Sequence, residues 1–183
     1  MQKVLLAGLL FAVSVVHAAQ PASQTSQASE WKTRVAATMP LLGHRNWILV
    51  VDSAYPLQTS PGVETIETNA DQIEVVRYVL GAVGSSIHVR PLIYMDSELP
   101  FVSDQDAPGA SAYRAEIGRI LQAYKIDSKP HEKMLADIDE AGKSFHVLVL
   151  KTKMAVPYTS VFIKLDCKYW GADAEKRLRA NMH

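Results

Sequence analysis

The chain has 183 residues, with 19 basic and 19 acidic side chains and therefore a formal net charge of zero. This balance gives no electrostatic reason to expect nucleic acid or an acidic membrane surface as a partner. Cys167 is the only cysteine, which excludes an internal disulfide and a paired-cysteine zinc site. A hydrophobic fraction of 48% suits one domain with a sizeable core.

The N-terminal segment predicts export. Lys3 precedes the apolar run "VLLAGLLFAVSVV", and "VHA" supplies small residues for cleavage, so residues 1–18 are typical of a signal peptide. The run is too short to span a bilayer comfortably, and we expect no membrane anchor. Residues 19–30, rich in Ser, Gln and Ala, indicate a flexible linker. We expect a periplasmic or secreted domain over residues 31–183.

Helical and strand patterns alternate along this domain. In chain order, we expect a helix with Ser29 as N-cap, strands at "WILVVD" and "VETIET", and a helix at "DQIEVVRYVLGAVG". The strand "SIHVRPLIYM" and the helices "ASAYRAEIGRILQAY" and "PHEKMLADIDEAG" follow. The strands "FHVLVLKT" and "YTSVFIKLD" and the terminal helix "ADAEKRLRANM" complete the pattern. This order predicts a single compact α/β domain with a central, mostly parallel sheet flanked by helices.

Several cofactor motifs are absent from the sequence. It has no P-loop, no glycine-rich dinucleotide fingerprint and no G-x-S-x-G elbow. The histidines beyond the leader, at positions 44, 88, 131, 146 and 183, include no close pair at metal-ligand spacing. We therefore expect no cofactor and no dedicated metal site. His88 and His146 lie inside strand patterns and are expected to be hydrogen-bonded core or interface residues.

A few polar residues stand at the ends of predicted elements, where a rigid scaffold commonly holds catalytic groups. His44 follows Gly43 before a strand, Asp52 ends that strand, and His131 follows Pro130 at the start of a helix. Each has an ordinary interpretation when taken alone. His44 could be a turn residue, and Asp52 could be the acceptor of an Asx-turn. Tyr158 could be an aromatic side chain that packs one face of its ring against the protein. Only as a set do they indicate a small-molecule site.

The set resembles a known family. "LGH" before an apolar strand that ends in Asp52, "HE" at His131–Glu132, and "VLVLKTKMAVPYTSVFI" agree in order and spacing with motifs of the ribose pyranase and fucose mutarotase family. The resemblance covers residues 31–165, with an insertion-like middle at residues 100–109 and a helical extension at the C-terminus. It implies an RbsD/FucU-like fold.

The resemblance also implies a site. His44 would be the principal acid/base, oriented or charged by Asp52, and His131 the second proton-transfer group. Tyr158 and Ser160 would hold sugar hydroxyls. Ser160 stands where the family has Asn, and its hydroxyl is shorter and lacks the paired donors of an amide.

The implied activity is the interconversion of ring forms or anomers of a monosaccharide, with no cofactor or metal. The resemblance further implies a homo-oligomer, a pentamer or decamer with sites at subunit boundaries. This matters because a five- or six-residue strand spans nearly 20 Å, too far for His44 and Asp52 to meet directly. Two alternatives remain open, a non-catalytic exported monosaccharide-binding oligomer and a purely structural oligomer.

Overall fold

A computed structural model of the protein describes residues 22–182. The predicted signal peptide lies outside the described residues and stays a prediction. Within residues 22–182, no helix combines the length and the apolar character that a membrane span requires.

The described chain forms the predicted helices and strands in the predicted order, with one additional strand between the third and fourth helices. The helices are α1 (Ala22–Thr38), α2 (Gln72–Ser85), α3 (Ala110–Leu121), α4 (His131–Gly142) and α5 (Ala172–Ala180). The strands are β1 (Trp47–Val51), β2 (Val63–Glu67), β3 (Val89–Asp96), β4 (Ile126–Lys129), β5 (Val147–Lys151) and β6 (Val161–Cys167). Short 3-10 turns lie at Met39–Leu41 and Leu99–Phe101.

The strands form one six-stranded sheet in the order β2-β5-β1-β6-β3-β4. The pairs β2–β5, β5–β1 and β3–β4 are parallel, whereas β6 is antiparallel to both of its neighbours, β1 and β3. Five strands therefore run one way and β6 runs against them. The predicted α/β domain with a mostly parallel sheet is confirmed.

Both faces of the sheet are buried, which explains the continuous apolar run of β1. Ile48 and Val50 face a core shared with α1, α2 and α3. Trp47, Leu49 and Val51 face a second core that includes α4. Successive side chains of a strand point to opposite faces, so a central strand covered on both sides has no polar position to offer.

Some element bounds differ from the sequence-based expectation. Helix α1 begins at Ala22, earlier than the expected N-cap Ser29, and so takes up most of the segment interpreted as a linker. Strand β4, "IDSK", was not predicted, because it is short and largely exposed and shows no apolar alternation. Pro91 pairs with β6, but the pairing of β3 with β4 begins only at Ile93, so Pro91 lies at a local edge of the sheet, where a proline is tolerated.

The topology gathers polar residues at one edge of the sheet. Asp52 follows β1, Asp96 ends β3 and Thr152 follows β5, all at the carboxyl ends of parallel strands. Helix α4 begins at this edge with His131, after β4. Because β6 is antiparallel, its incoming loop with Tyr158 meets the same edge. In open α/β sheets this is where ligands bind.

We predict opposite effects on stability for two Gly→Ala changes. At Gly62 an added Cβ would overlap the backbone oxygen of Phe145 and lie 2.7 Å from that of Gly142. Gly62→Ala should therefore lower the free energy of unfolding by roughly 1–3 kcal/mol. Gly81, inside α2, has open space around it, so Gly81→Ala should raise the free energy of unfolding by about 0.5–1 kcal/mol.

Urea unfolding of both variants beside the wild type measures these effects. A Gly62→Ala chain as stable as the wild type would show that the β2–α4 approach is not tight.

Candidate functional site

A cavity of about 360 Å³ opens at the carboxyl edge of the sheet. It is lined by the loop after β1, by the first residue of α4 and by the loop before β6: Asp52, Ser53, Ala54, Tyr55, Pro56, His131, Ala155, Val156, Pro157 and Tyr158. This volume lies within the range of small-molecule sites. The structure thus brings together three of the predicted site residues, Asp52, His131 and Tyr158.

His131 is held from two sides. Its ring nitrogen Nδ1 lies 3.1 Å from Asp96 Oδ2, and its backbone N–H donates to the Glu98 carboxylate at 3.0 Å. The ring also meets Tyr158 edge-on, with centroids 5.5 Å apart. Nε2 has no hydrogen-bond partner among the described residues, so it is the ring nitrogen left for a ligand.

Asp96 is the buried partner that the sequence analysis did not single out. Burial raises the pKa of its carboxyl from the usual 3.8 to about 6, while the attraction and hydrogen bond of His131 oppose this rise. The negative charges of Glu98 and Asp52 add to the rise. Within residues 22–182, Asp96 Oδ1 has no hydrogen-bond partner, which agrees with a costly buried charge.

Asp52 forms an Asx-turn and also lies on the cavity wall. Its Oδ1 accepts a hydrogen bond from the backbone N–H of Ala54 at 2.9 Å, the Asx-turn of the ordinary interpretation. The carboxyl also lines the cavity and is 8% exposed. Tyr55 is a neighbour that sequence reasoning missed. Burial raises the pKa of its phenol, and the charges of Asp96 and Asp52 add to this, so the hydroxyl stays a neutral donor.

A buried polar network supports the Tyr158 loop. Tyr158 adopts a left-handed backbone with φ of 60°, which non-glycine residues rarely do. The carbonyl of the next residue, Thr159, accepts from the Tyr113 hydroxyl at 2.6 Å and from Gln72 Nε2. Thr152 Oγ1 in turn donates to Gln72 Oε1 at 3.0 Å. Satisfied buried networks rigidify a site, so Tyr158 is fixed beside His131.

Ser160 is not part of the cavity lining. Its side chain is fully buried, and Oγ has no hydrogen-bond partner among the residues that the structure describes. The predicted contact of Ser160 with a ligand hydroxyl therefore stays a prediction.

His44 lies in a different place. Its Nδ1 is 3.1 Å from Asp166 Oδ1, and Arg90 donates to Asp166 Oδ2 at 2.8 and 2.6 Å. Although burial opposes it, Arg90 and His44 hold the pKa of Asp166 below its usual value. A cavity of about 620 Å³ surrounds this group and includes Trp170 and Glu175 of the C-terminal extension.

This placement agrees with the expected separation of His44 from Asp52 within one chain, and an orientation of His44 by Asp52 across a subunit boundary stays a prediction. Within the chain, Asp166 and not Asp52 orients His44, because β1 separates His44 from Asp52, as its length implied. His88 is hydrogen-bonded to the Leu42 carbonyl and to Ser86, as expected for a structural histidine. Among residues 22–182, no three His, Cys, Asp or Glu side chains are placed to hold a metal ion.

Comparison with solved structures identifies the fold. RbsD from Bacillus subtilis, solved in complex with D-ribose, aligns with a TM-score of 0.54 at 13% identity over 73% of this chain and 92% of that one. The chain therefore has the RbsD fold, and the predicted fold resemblance is confirmed. No protein-family model and no curated protein sequence matches the chain significantly.

Two further structures align less closely. The fucose mutarotase from Streptococcus pneumoniae, in complex with L-fucose, gives a TM-score of 0.48 at 19% identity, over 71% of this chain and 89% of that one. FucU from Bifidobacterium longum gives 0.49 at 15% identity, over 73% and 92%.

The raised pKa of Asp96 predicts a pH effect on stability. Between about pH 4 and pH 6 the folded chain keeps a proton on Asp96 that the unfolded chain releases. The free energy of unfolding should therefore decrease as pH rises through this window. The Asp96→Asn variant should lack the decrease that comes from Asp96. Urea unfolding of both proteins at several pH values checks this. Parallel curves for the two proteins from pH 4 to pH 7 would contradict it.

Proposed function

We propose that this protein accelerates the interconversion of ring forms or anomers of a monosaccharide by acid/base catalysis in the 360 Å³ cavity. The observation that carries the proposal is a histidine on the cavity wall, held through Nδ1 by a buried carboxylate, with Nε2 unpaired among the described residues. The shared fold with a protein that was solved with D-ribose supports a sugar as the ligand.

The reaction needs only proton transfers. A proton leaves the anomeric hydroxyl, the ring C–O bond breaks, a carbonyl forms at the anomeric carbon, and the ring oxygen takes up a proton. Ring closure reverses these steps and gives either anomer or another ring size. No electron is lost or gained overall, so one group must accept a proton and one must donate it.

His131 suits the role of acceptor. When Asp96 is ionised, Nδ1–H donates to its carboxylate, which leaves the lone pair of Nε2 for the anomeric proton. The carboxylate then stabilises the imidazolium that forms. A positioned acid/base group of this kind contributes roughly 100- to 10,000-fold in rate. Asp52 and Tyr158, on the same wall, would bind sugar hydroxyls.

His44 would supply the second proton-transfer group from a neighbouring subunit. Its own pairing with Asp166 has the same Nδ1-to-carboxylate distance, 3.1 Å, as that of His131 with Asp96. This similarity supports an equivalent role for two histidines that the single chain keeps apart. The proposal thus includes a homo-oligomer, a pentamer or decamer, with each site shared between subunits. The predicted signal peptide over residues 1–18 supports a location of this oligomer in the periplasm or outside the cell.

A second candidate is a non-catalytic exported oligomer that binds a monosaccharide. The observation in its favour is that His44 and His131 lie in separate cavities, so one chain offers a sugar only one imidazole. In that case the cavity would hold the sugar without moving its protons.

The decisive experiment is saturation-transfer NMR on ribose, fucose and galactose. Wild-type protein should accelerate the exchange between ring forms, and His131→Ala should lower the acceleration by 100-fold or more, since the proton acceptor is lost. His146→Gln is the matched control, because His146 neighbours Glu64 and lines none of the cavities described above. Thermal stabilisation by a sugar without any faster exchange would favour the binding protein instead.

The Asp96 pair also predicts a pH profile for the exchange. As pH falls through about 6, Asp96 takes up a proton and loses the charge that stabilises the His131 imidazolium, so the rate should fall. The Asp96→Asn variant should catalyse the exchange more slowly than the wild type above pH 6, and the difference between the two rates should become smaller below pH 6. Rates are measured against buffer alone at each pH. A gap that stays constant from pH 5 to pH 8 would rule out this role for Asp96.

A further inference from the structure

A second cavity adjoins the first at the Tyr158 loop. Its volume is about 370 Å³, nearly equal to the 360 Å³ of the first cavity. Pro157 and Tyr158 line both, so the two cavities lie on either side of one loop. The remaining lining of the second cavity comes from Glu98 and from the segment between β3 and α3, namely Phe101, Val102, Ser103, Asp106 and Ala107.

The segment that lines this cavity is tied down at several points. The backbone N–H of Phe101 donates to the Glu98 carbonyl at 2.9 Å. Arg114, from α3, donates to the carbonyl of Val102 at 2.6 Å. The Asp104 carboxylate accepts from two backbone N–H groups at the start of α3, at 3.0 and 3.2 Å. The wall is therefore preorganised, which reduces the entropy that a ligand must overcome on binding.

The chemistry of the wall suits a carbohydrate. The Phe101 ring is 86% exposed and offers a flat apolar surface, although it belongs to none of the hydrophobic cores. Close by, Ser103 Oγ donates to Asp106 Oδ2 at 2.6 Å, and both side chains remain exposed. A sugar presents C–H groups on its ring faces and hydroxyls at its rim. An exposed aromatic ring beside polar groups matches both parts.

We infer that residues 98–107 form a second sugar subsite and that the substrate is a reducing disaccharide. The reducing unit would lie against His131, where its free anomeric hydroxyl can lose a proton. The second unit, linked through an oxygen away from that carbon, would lie across Tyr158 against Phe101. The near-equal volumes on the two sides of the loop fit two units of similar size. This inference rests on the proposed function, whose cavity holds the reducing unit.

Binding and exchange measured on matched sugars test the inference. Calorimetry on glucose, galactose, maltose, cellobiose and lactose should show at least one disaccharide bound about tenfold more tightly than its monosaccharide units. Phe101→Ala should remove most of that advantage. Ile87→Ala is the matched control, because Ile87 is similarly exposed, at 88%, and lines none of the cavities described above.

The outcomes separate this inference from the proposed function. If monosaccharides undergo faster exchange, while no disaccharide binds more tightly or Phe101→Ala changes nothing, the second subsite is wrong and the catalytic proposal stands. If a disaccharide binds with the Phe101 dependence but no sugar exchanges faster, the subsite holds and the protein is a binding protein. A Phe101→Ala chain with an unchanged circular dichroism spectrum and melting temperature shows that loss of binding does not come from misfolding.

Discussion

The candidate site depends on one contact, the pairing of the His131 imidazole with the buried carboxyl of Asp96. This contact fixes the ring at the wall of the cavity, and when Asp96 is ionised it keeps a proton on Nδ1. It exists because β3 ends in Asp96 and the parallel neighbour β4 leads directly into α4. The parallel pairing of β3 with β4 therefore brings the Asp96 carboxyl and the His131 imidazole to the same edge of the sheet.

The site combines a histidine held in place by hydrogen bonds with polar groups whose burial costs stability. Gln72, Tyr113 and Thr152 are buried polar side chains: Gln72 and Tyr113 donate to the carbonyl of the residue after Tyr158, and Thr152 donates to Gln72. The buried Asp96 carboxyl is less well satisfied, because its Oδ1 has no hydrogen-bond partner within residues 22–182. Buried polar groups without full satisfaction cost stability, and they concentrate at functional sites. The energetic cost at this edge supports a functional interpretation over a purely structural one.

Much of the fold follows from the sequence, because the strands buried on both faces and the amphipathic helices carry strong patterns. The continuous run "WILVV" gives β1, and the alternation of elements gives the α/β class. Strand β4 has no such pattern, since "IDSK" is mostly exposed and is held by pairing with β3 alone. Tertiary pairing, not local propensity, makes it a strand.

Part of the candidate site could also be predicted from local sequence patterns. Asp52, His131 and Tyr158 stand at or near element ends, and they line one cavity. Asp96 also ends an apolar strand, the signal that drew attention to Asp52, but its pairing with His131 depends on which strands are neighbours. The contact of His44 with Asp166 was not predicted for the same reason, because it depends on the register of β6 beside β1 and β3.

Strand β6 has a mechanical consequence. The strand begins after the Tyr158 loop, which lies beside His131, and carries Asp166 near its other end, beside His44. It therefore connects the surroundings of the two histidines. Sliding it by one residue would turn Phe162 and Ile163 to the wrong faces of the sheet, so its position along the sheet is locked. The distance between the surroundings of His44 and those of His131 is therefore set by the seven residues of β6. In the homo-oligomer proposed above, β6 would keep the same distance between these two histidine environments in every subunit.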